Sequence, residues 1–234
     1  MNGKAIIKFL VVVAVIIGTF AYFIQPLAGS LKQGLDLQGG THIVLEAEDS
    51  ATGKADNDAV ERAKQILERR INEMGLSEPL VQREGARRII IELPGVKDPD
   101  EAIKRIGKTA VLEFKNDQGQ TVMTGDDLKD AKEELGQNKQ PLVAIELSDE
   151  GAKKFADLTS KNIGRRIAIT LDGQELTNPV VQQAITGGRA TISGSQSLEE
   201  AKDLAILLRS GALPVKINVL EVRTVGPSLG QDSK

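Results

Sequence analysis

The sequence predicts an α+β protein carried on one N-terminal membrane helix. Three observations lead there. Residues Ala5–Ile24 are almost wholly apolar. From Thr41 onward the apolar spacing switches repeatedly between a period of two and a helical period. The two periods interleave along the chain, which argues for strands and helices packed in one architecture.

The apolar run from Ala5 to Ile24 is 20 residues long. As a helix it would measure about 30 Å, the thickness of a bilayer core. Lys8 is its one charge and lies within a turn of the end, where its stem can snorkel to the headgroups. Lys4 and Lys8 precede the apolar stretch, and the next basic residue is Lys32, which predicts a cytoplasmic N-terminus. A cleaved signal peptide is the rival reading. The run is long for one, and Pro26 stands where a small residue is wanted. In Leu27-Ala28-Gly29-Ser30 a serine occupies the place of a lipoprotein cysteine. Both readings put residues 30–234 outside the cytoplasm.

Thr41–Ala47 reads as a strand. Asp56–Met74 reads as an amphipathic helix: Ala59, Val60, Ala63, Ile66, Leu67, Ile71 and Met74 form one stripe, and Gly75 stops it. Leu80–Arg83 and Arg88–Leu93 form a hairpin about Glu84-Gly85-Ala86. Asp98-Pro99-Asp100-Glu101 opens a helix to about Gly107, with Asp98 as cap and Pro99 at the first turn. Val111–Lys115 is a strand. The order is βαββαβ, a ferredoxin-like pattern.

Asn116–Gln120 is a turn and Asp126–Leu135 a short helix. Leu142–Leu147 is a strand, and Ser148 caps a helix to about Asn162. Arg166–Leu171, Gln174–Thr177 and Ala190–Ser193 are strands, the first two joined at Asp172-Gly173. Ser197-Leu198-Glu199-Glu200 is a capping box for a helix ended by Gly211, and Val215–Val222 is the last strand. One helix and one strand cannot bury a core of their own. They are expected to return to the first domain, which makes residues 117–195 an insertion; two consecutive lobes are the alternative.

Composition excludes several functions. The 234 residues are 40% hydrophobic and 27% charged, with one Tyr, five Phe and no Trp. So few aromatics argue against base-stacking platforms. Residues 1–32 hold three lysines and no acid; removing them from the 30 basic residues leaves 27 against 33 acids, a formal charge of −6. An acidic domain is a poor binder of nucleic-acid backbones. With no Cys and only His42, disulfides, thiolates and His-rich metal sites are absent from the sequence.

Paired acids at Asp126-Asp127, Glu133-Glu134, Asp149-Glu150 and Glu199-Glu200 read mostly as helix starts, since sequence neighbours face different sides. Gly39-Gly40 and Gly187-Gly188 fit neither phosphate-loop pattern and read as turns. His42 has no second His or Cys and reads as a structural hydrogen-bonding residue. No catalytic, cofactor-binding or metal-ligating constellation emerges.

Three stretches are more specific: Gly34-Leu35-Asp36-Leu37-Gln38-Gly39-Gly40-Thr41-His42, then Leu208-Arg209-Ser210-Gly211-Ala212-Leu213-Pro214, then Thr224-Val225-Gly226-Pro227-Ser228-Leu229-Gly230. Arg70-Ile71-Asn72-Glu73-Met74-Gly75, Leu93-Pro94-Gly95 and Ile167–Gly173 agree with them. In order and spacing the chain resembles SecD, the accessory subunit of the Sec protein-export channel, over essentially its whole length. From the lack of a nucleophile, base or metal set, neither an enzyme nor a cofactor is expected. The resemblance implies a ferredoxin-like base carrying an inserted, mobile head that grasps the exported chain. It also implies partners: a SecF-like subunit, the Sec channel and unfolded preprotein, with no nucleic acid.

The expected organisation is 1–29 as cytoplasmic stub and anchor, 30–116 and 196–225 as the base, 117–195 as the head, and 226–234 as a membrane-proximal tail. Gly34–Gly40 would lead from the anchor into the first base strand, and Gly226–Gly230 would break the last strand at the membrane surface. The family continues past the latter motif into proton-conducting membrane helices. This chain, ending at Lys234, is therefore not expected to couple proton flow to motion by itself. An anchored binding module for peptide or a cell-envelope ligand is the competing function.

Overall fold

The structure is a computed structural model and describes residues 12–13, 35, 39–50, 53–76, 79–96 and 98–226. The chain divides into two units at Gly34/Leu35. The first contributes only Val12 and Val13, both helical, so the expected anchor otherwise lies outside the described residues. Among the described residues no helix is long and apolar enough to cross a membrane. The second unit holds all the remaining described residues.

Its elements begin with β1 (Gly40–Glu48), α1 (Asn57–Glu73), β2 (Leu80–Glu84), β3 (Arg88–Pro94) and α2 (Pro99–Ile106). Then come β4 (Leu112–Lys115), β5 (Thr121–Thr124), a 3-10 turn at Gly125–Asp127, β6 (Leu128–Leu135) and β7 (Pro141–Leu147). The last are α3 (Asp149–Lys161), β8 (Ala168–Leu171), β9 (Gln174–Thr177), β10 (Arg189–Ser193), α4 (Leu198–Ser210) and β11 (Lys216–Val225).

The first core is a four-stranded antiparallel sheet, ordered β11-β1-β3-β2, with α1 and α2 on one face. Strict alternation dictates the burial. Ile43, Leu45 and Ala47 of β1 and Ile89, Ile91 and Leu93 of β3 are all within 2% of complete burial, while the residues between them face away. Asp56 caps α1 by accepting from the Ala59 amide at 2.8 Å, and Asp98 caps α2 by accepting from the Asp100 and Glu101 amides. Val60, Ala63, Leu67 and Ile71 bring the α1 stripe down onto the sheet.

The second core lies between two further sheets, β5-β4-β8-β9 and β10-β7-β6, and helices α3 and α4. Phe114, Val143, Ile145, Phe155, Ile169 and Ile192 are at its centre. Its helix α3 starts at Ser148, whose hydroxyl accepts from the Gly151 amide at 3.1 Å. Ser148→Ala is expected to destabilise this core by about 1 kcal/mol, read as a lower midpoint in urea denaturation. An unmoved midpoint would show that the cap is replaceable.

The structure corrects two sequence expectations. The strand at 111–115 does not complete the first sheet. β4 pairs with β5 and β8, and β11 takes the place beside β1, matching it along Gly40–Glu48 with one bulge at Val44/Leu45. β4 has four residues and alternating burial; such a pattern says that a strand is half-buried and nothing about which sheet it joins. The segment 126–135 is also not a helix. A 3-10 turn gives way to β6, an edge strand paired with β7. Lys, Ala and Glu in Leu128–Leu135 are strong helix formers. The unpaired edge of β7 outweighs that local preference, and α4 packs across β6 over Ala131, its one buried residue.

The changeover between cores is also distinctive. Ile106 belongs to the first core and Ala110 to the second; Leu208 belongs to the second and Leu213 to the first. The chain therefore crosses at 106–110 and again at 208–213, next to each other, with the Leu213 amide donating to Thr109 O at 2.8 Å. An insertion bounded at 117 and 195, as the sequence pattern predicts, would place both crossings farther into the second core's own segment than these.

Candidate functional site

Two places qualify, and they lie in different cores. The first is where the signature motifs meet. Gly34, Asp36, Leu37 and Gln38 lie outside the described residues, as do Pro227, Ser228, Leu229 and Gly230. Leu35 is buried, and the Gly39 amide donates to its carbonyl at 2.8 Å. Gly39 O accepts from the Gly95 amide at 3.0 Å. Gly40 opens β1 between Pro94 on one side and Val225 on the other, and Gly226 follows directly. The two motifs, distant in sequence, thus become neighbours at one end of the first sheet. Gly40 has φ +147, and a Cβ there would sit 2.4 Å from Leu93 O and 2.9 Å from the Pro94 Cα. The glycine is a packing requirement. His42 lies in the same register, opposite Arg223 and Glu92, with its Nδ1 buried and unpartnered.

The second place is a cavity of about 820 Å³ in the second core. Its wall is apolar: Ile145 of β7, Phe155 of α3, Ile167 and Ile169 at β8, and Val180, Val181 and Ile185 from the segment between β9 and β10. Val180 remains 46% exposed at its mouth. That segment has no strand or helix of its own, so its backbone borrows partners. Val181 N donates to Arg165 O and Gly164 N donates to Val181 O, both at 2.9 Å, and Ile167 N donates to Pro179 O at 3.1 Å. At the far end the Thr159 hydroxyl accepts from Ile185 N at 2.9 Å and donates to Phe155 O at 2.7 Å. One buried threonine on α3 therefore positions the cavity wall.

The rim carries charges of both signs: Asp130, Glu134 and Glu146 stand with Lys132 and Arg189. Glu146 accepts from Lys129 at 2.7 Å and lies 4.0 Å from Arg189. The Lys129 hydrogen bond, then its charge, holds the Glu146 carboxyl below the usual carboxylate range. The Lys132 hydrogen bond does the same for Asp130, aided by the Ala131 amide. Both acids are thus ionised and already paired at neutral pH. A cavity of this size, apolar inside and mixed at the rim, suits an apolar side chain or a short extended segment. It offers no nucleophile with an adjacent base, and among the described residues no three His, Asp or Glu side chains come together to hold a metal ion.

Among the described residues of the three signature stretches none lines this cavity, whereas Ile167 and Ile169 of the Ile167–Gly173 stretch do. It was not legible beforehand because its wall draws on β6, β7, α3, β8 and the 179–191 stretch at once. A second residue was missed for a different reason. Arg70 is 0% exposed, within the stripe between Leu67 and Met74. An arginine at a helical-stripe position was the available signal.

Comparison with known proteins gives matches along most of the chain. The family model "SecD/SecF GG Motif" matches residues 31–51, "Protein translocase subunit SecDF, P1 domain, N-terminal" matches 60–119, and "SecDF, P1 head subdomain" matches 103–215. Protein translocase subunit SecD of Acidaminococcus fermentans is 58% identical over 234 residues, covering 100% of this chain and 56% of that protein. A crystal structure of SecDF in a super-membrane-facing form aligns with TM-score 0.75 at 39% identity, over 98% of this chain and 36% of that one. A structure of SecDF, described as a membrane component that enhances protein export, aligns with TM-score 0.70 at 40% identity, over 78% of this chain and 99% of that one. The chain spans about half the length of the curated relatives it matches.

Proposed function

This chain belongs to the SecD family of protein translocase subunits, and from that premise we propose that its second unit captures exported polypeptide in the cavity of the second core. On this reading the first core is a ferredoxin-like base and the second is a head inserted into it. The head cavity takes an apolar stretch of a chain emerging unfolded from the Sec channel. The N-terminal apolar run anchors the protein in the cell membrane with its start in the cytoplasm, and a SecF-like subunit is its partner there. Release of the captured chain, driven by the proton-motive force, belongs to the whole assembly. No chemical step is involved, so the protein acts as a binding device.

The observation that carries the proposal is the cavity itself: an apolar interior of about 820 Å³, bounded by an irregular segment, within the region matched by the head model. Exported chains differ in sequence, so a site that holds them must use apolar area and leave its charges already paired. The rim pairs of Glu146 and Asp130 meet that condition.

A photo-crosslinking residue at Val180 or Gln182, in the full-length subunit within membranes, tests the proposal against a secretory protein jammed midway through export. Crosslinks from both positions are expected. None is expected from Gln82, which is exposed on the first sheet. Equal crosslinking from all three, or none from the head beside an occupied channel, overturns capture and favours an anchored module for another ligand.

A further inference from the structure

Arg70 is a full positive charge with no exposed surface, and among the described residues no carboxylate is bonded to it. Leaving such a group unpartnered would be very costly. Its partners are instead neutral oxygens from two places. Nη1 donates to Ile106 O at 2.7 Å and also to Lys108 O, both on the first crossing between the cores. Nε donates to the Ser210 hydroxyl at 3.1 Å and Nη2 to Gly211 O at 2.8 Å, both on the second. Ile106 ends α2 and Ser210 ends α4. The guanidinium therefore sits where the negative ends of two helix dipoles converge, which explains how a buried cation is held with no carboxylate bonded to it among the described residues. Burial pushes Arg70 down to about 10, with the Asp172 carboxylate pulling the other way, so the group stays protonated at neutral pH. Asp172 meanwhile accepts from the Ala110 and Val111 amides at 3.1 and 2.9 Å, holding the first crossing from the head side.

We propose that Arg70 is a positioning residue, a pin that clamps both crossings to α1 and so sets the orientation of the second core against the first. A rotation of one core on the other would have to exchange the Lys108 bond, the Ser210 and Gly211 bonds, or both. Arg209 supplies a weaker brace beside it. From α4 it reaches Glu73 of α1 at 2.7 Å and also donates to Ala131 O of β6; this pair is partly exposed and contributes little by itself. The planar fork of Arg70 matters because four acceptors on two segments need several directed donors. Lysine keeps the charge but not that geometry.

The inference rests on the base-and-head reading, but its test needs no translocon. The chain has no cysteine, so spin labels can be placed by substitution alone. Gln82→Cys with Gln137→Cys reports between cores; Gln65→Cys with Gln82→Cys and Gln137→Cys with Lys161→Cys report within each, all at exposed positions. The full chain in detergent is expected to show one narrow inter-core distance by pulsed EPR. Arg70→Met is expected to broaden that distance or add a displaced second peak, with both within-core distances unchanged. If Arg70→Met does not fold, Arg70→Lys and Ser210→Ala carry the same test. An inter-core distance that stays narrow in the folded variants overturns the pin. So does equal broadening of every pair, which would make Arg70 an ordinary core residue. Absence of preprotein crosslinking from the unsubstituted head, with Arg70→Met still broadening the inter-core distance, would fault the capture proposal and leave the pin standing.

Discussion

Gly40→Ala is expected to be among the most damaging single-methyl changes in this protein, destabilising the first core by about 2–4 kcal/mol. The added carbon would lie 2.4 Å from Leu93 O, 2.7 Å from a Leu35 methyl and 2.9 Å from the Pro94 Cα. Two of those three are near-rigid backbone of the adjacent strand, so the clash cannot be relieved by a rotamer change. The backbone at φ +147 would also have to be held by an L side chain. Either β1 moves off β3 at this end or the hydrogen bond from Gly39 to Leu35 is given up. Urea denaturation followed by circular dichroism measures the loss, and hydrogen exchange at Thr41 and Leu93 locates it. A near-neutral Gly40→Ala would mean that the glycine pair is there for something other than strand approach. Gly95→Ala serves as contrast: nothing lies within 4 Å of its added carbon, although its φ of +74 still carries some strain.

Phe114→Ala is the counterpart in the second core, with an expected loss of about 3–5 kcal/mol. Phe114 is on β4 with no exposed surface, and its ring meets Phe155 edge-on at 5.9 Å and 70°. Phe155 in turn lines the cavity. Truncating Phe114 removes the buried area and the edge-to-face contact and leaves Phe155 unsupported from below. The stability loss should come with weaker crosslinking at Val180, because the cavity wall then loses its backing. Phe114→Leu, which keeps much of the volume, should recover most of the stability. If Phe114→Ala lost the expected stability yet left Val180 crosslinking intact, the cavity floor would not depend on this ring pair. The two variants also separate the cores, since Leu93 beside Gly40 belongs to the first and Phe114 to the second.

Most of the secondary structure was readable from local pattern. The α1 stripe, the 80–94 hairpin, the caps at Asp98, Ser148 and Ser197 and the strand at 142–147 all rest on short-range causes: periodicity, capping oxygens and turn residues. β5 escaped because Thr121–Thr124 is too short for its alternation to stand out, and it exists through its pairing with β4 across the Asn116–Gln120 turn. The segment 128–135 was misread because its composition favours a helix while its strand form is imposed by β7.

By itself the sequence determined the α+β class, the apolar N-terminal run, the acidic, cysteine-free composition of the remainder and the signature motifs that point to the family. Each of these is a property of composition or of residues a few positions apart. Only the tertiary structure decided that β11 and not β4 lies beside β1, that the cavity is assembled from five separated segments, and that Arg70 holds both crossings. The reason is physical. A half-buried strand carries its period but not the identity of its partner, and a buried cation looks like a defect in a stripe until the carbonyls that satisfy it arrive from elements far along the chain.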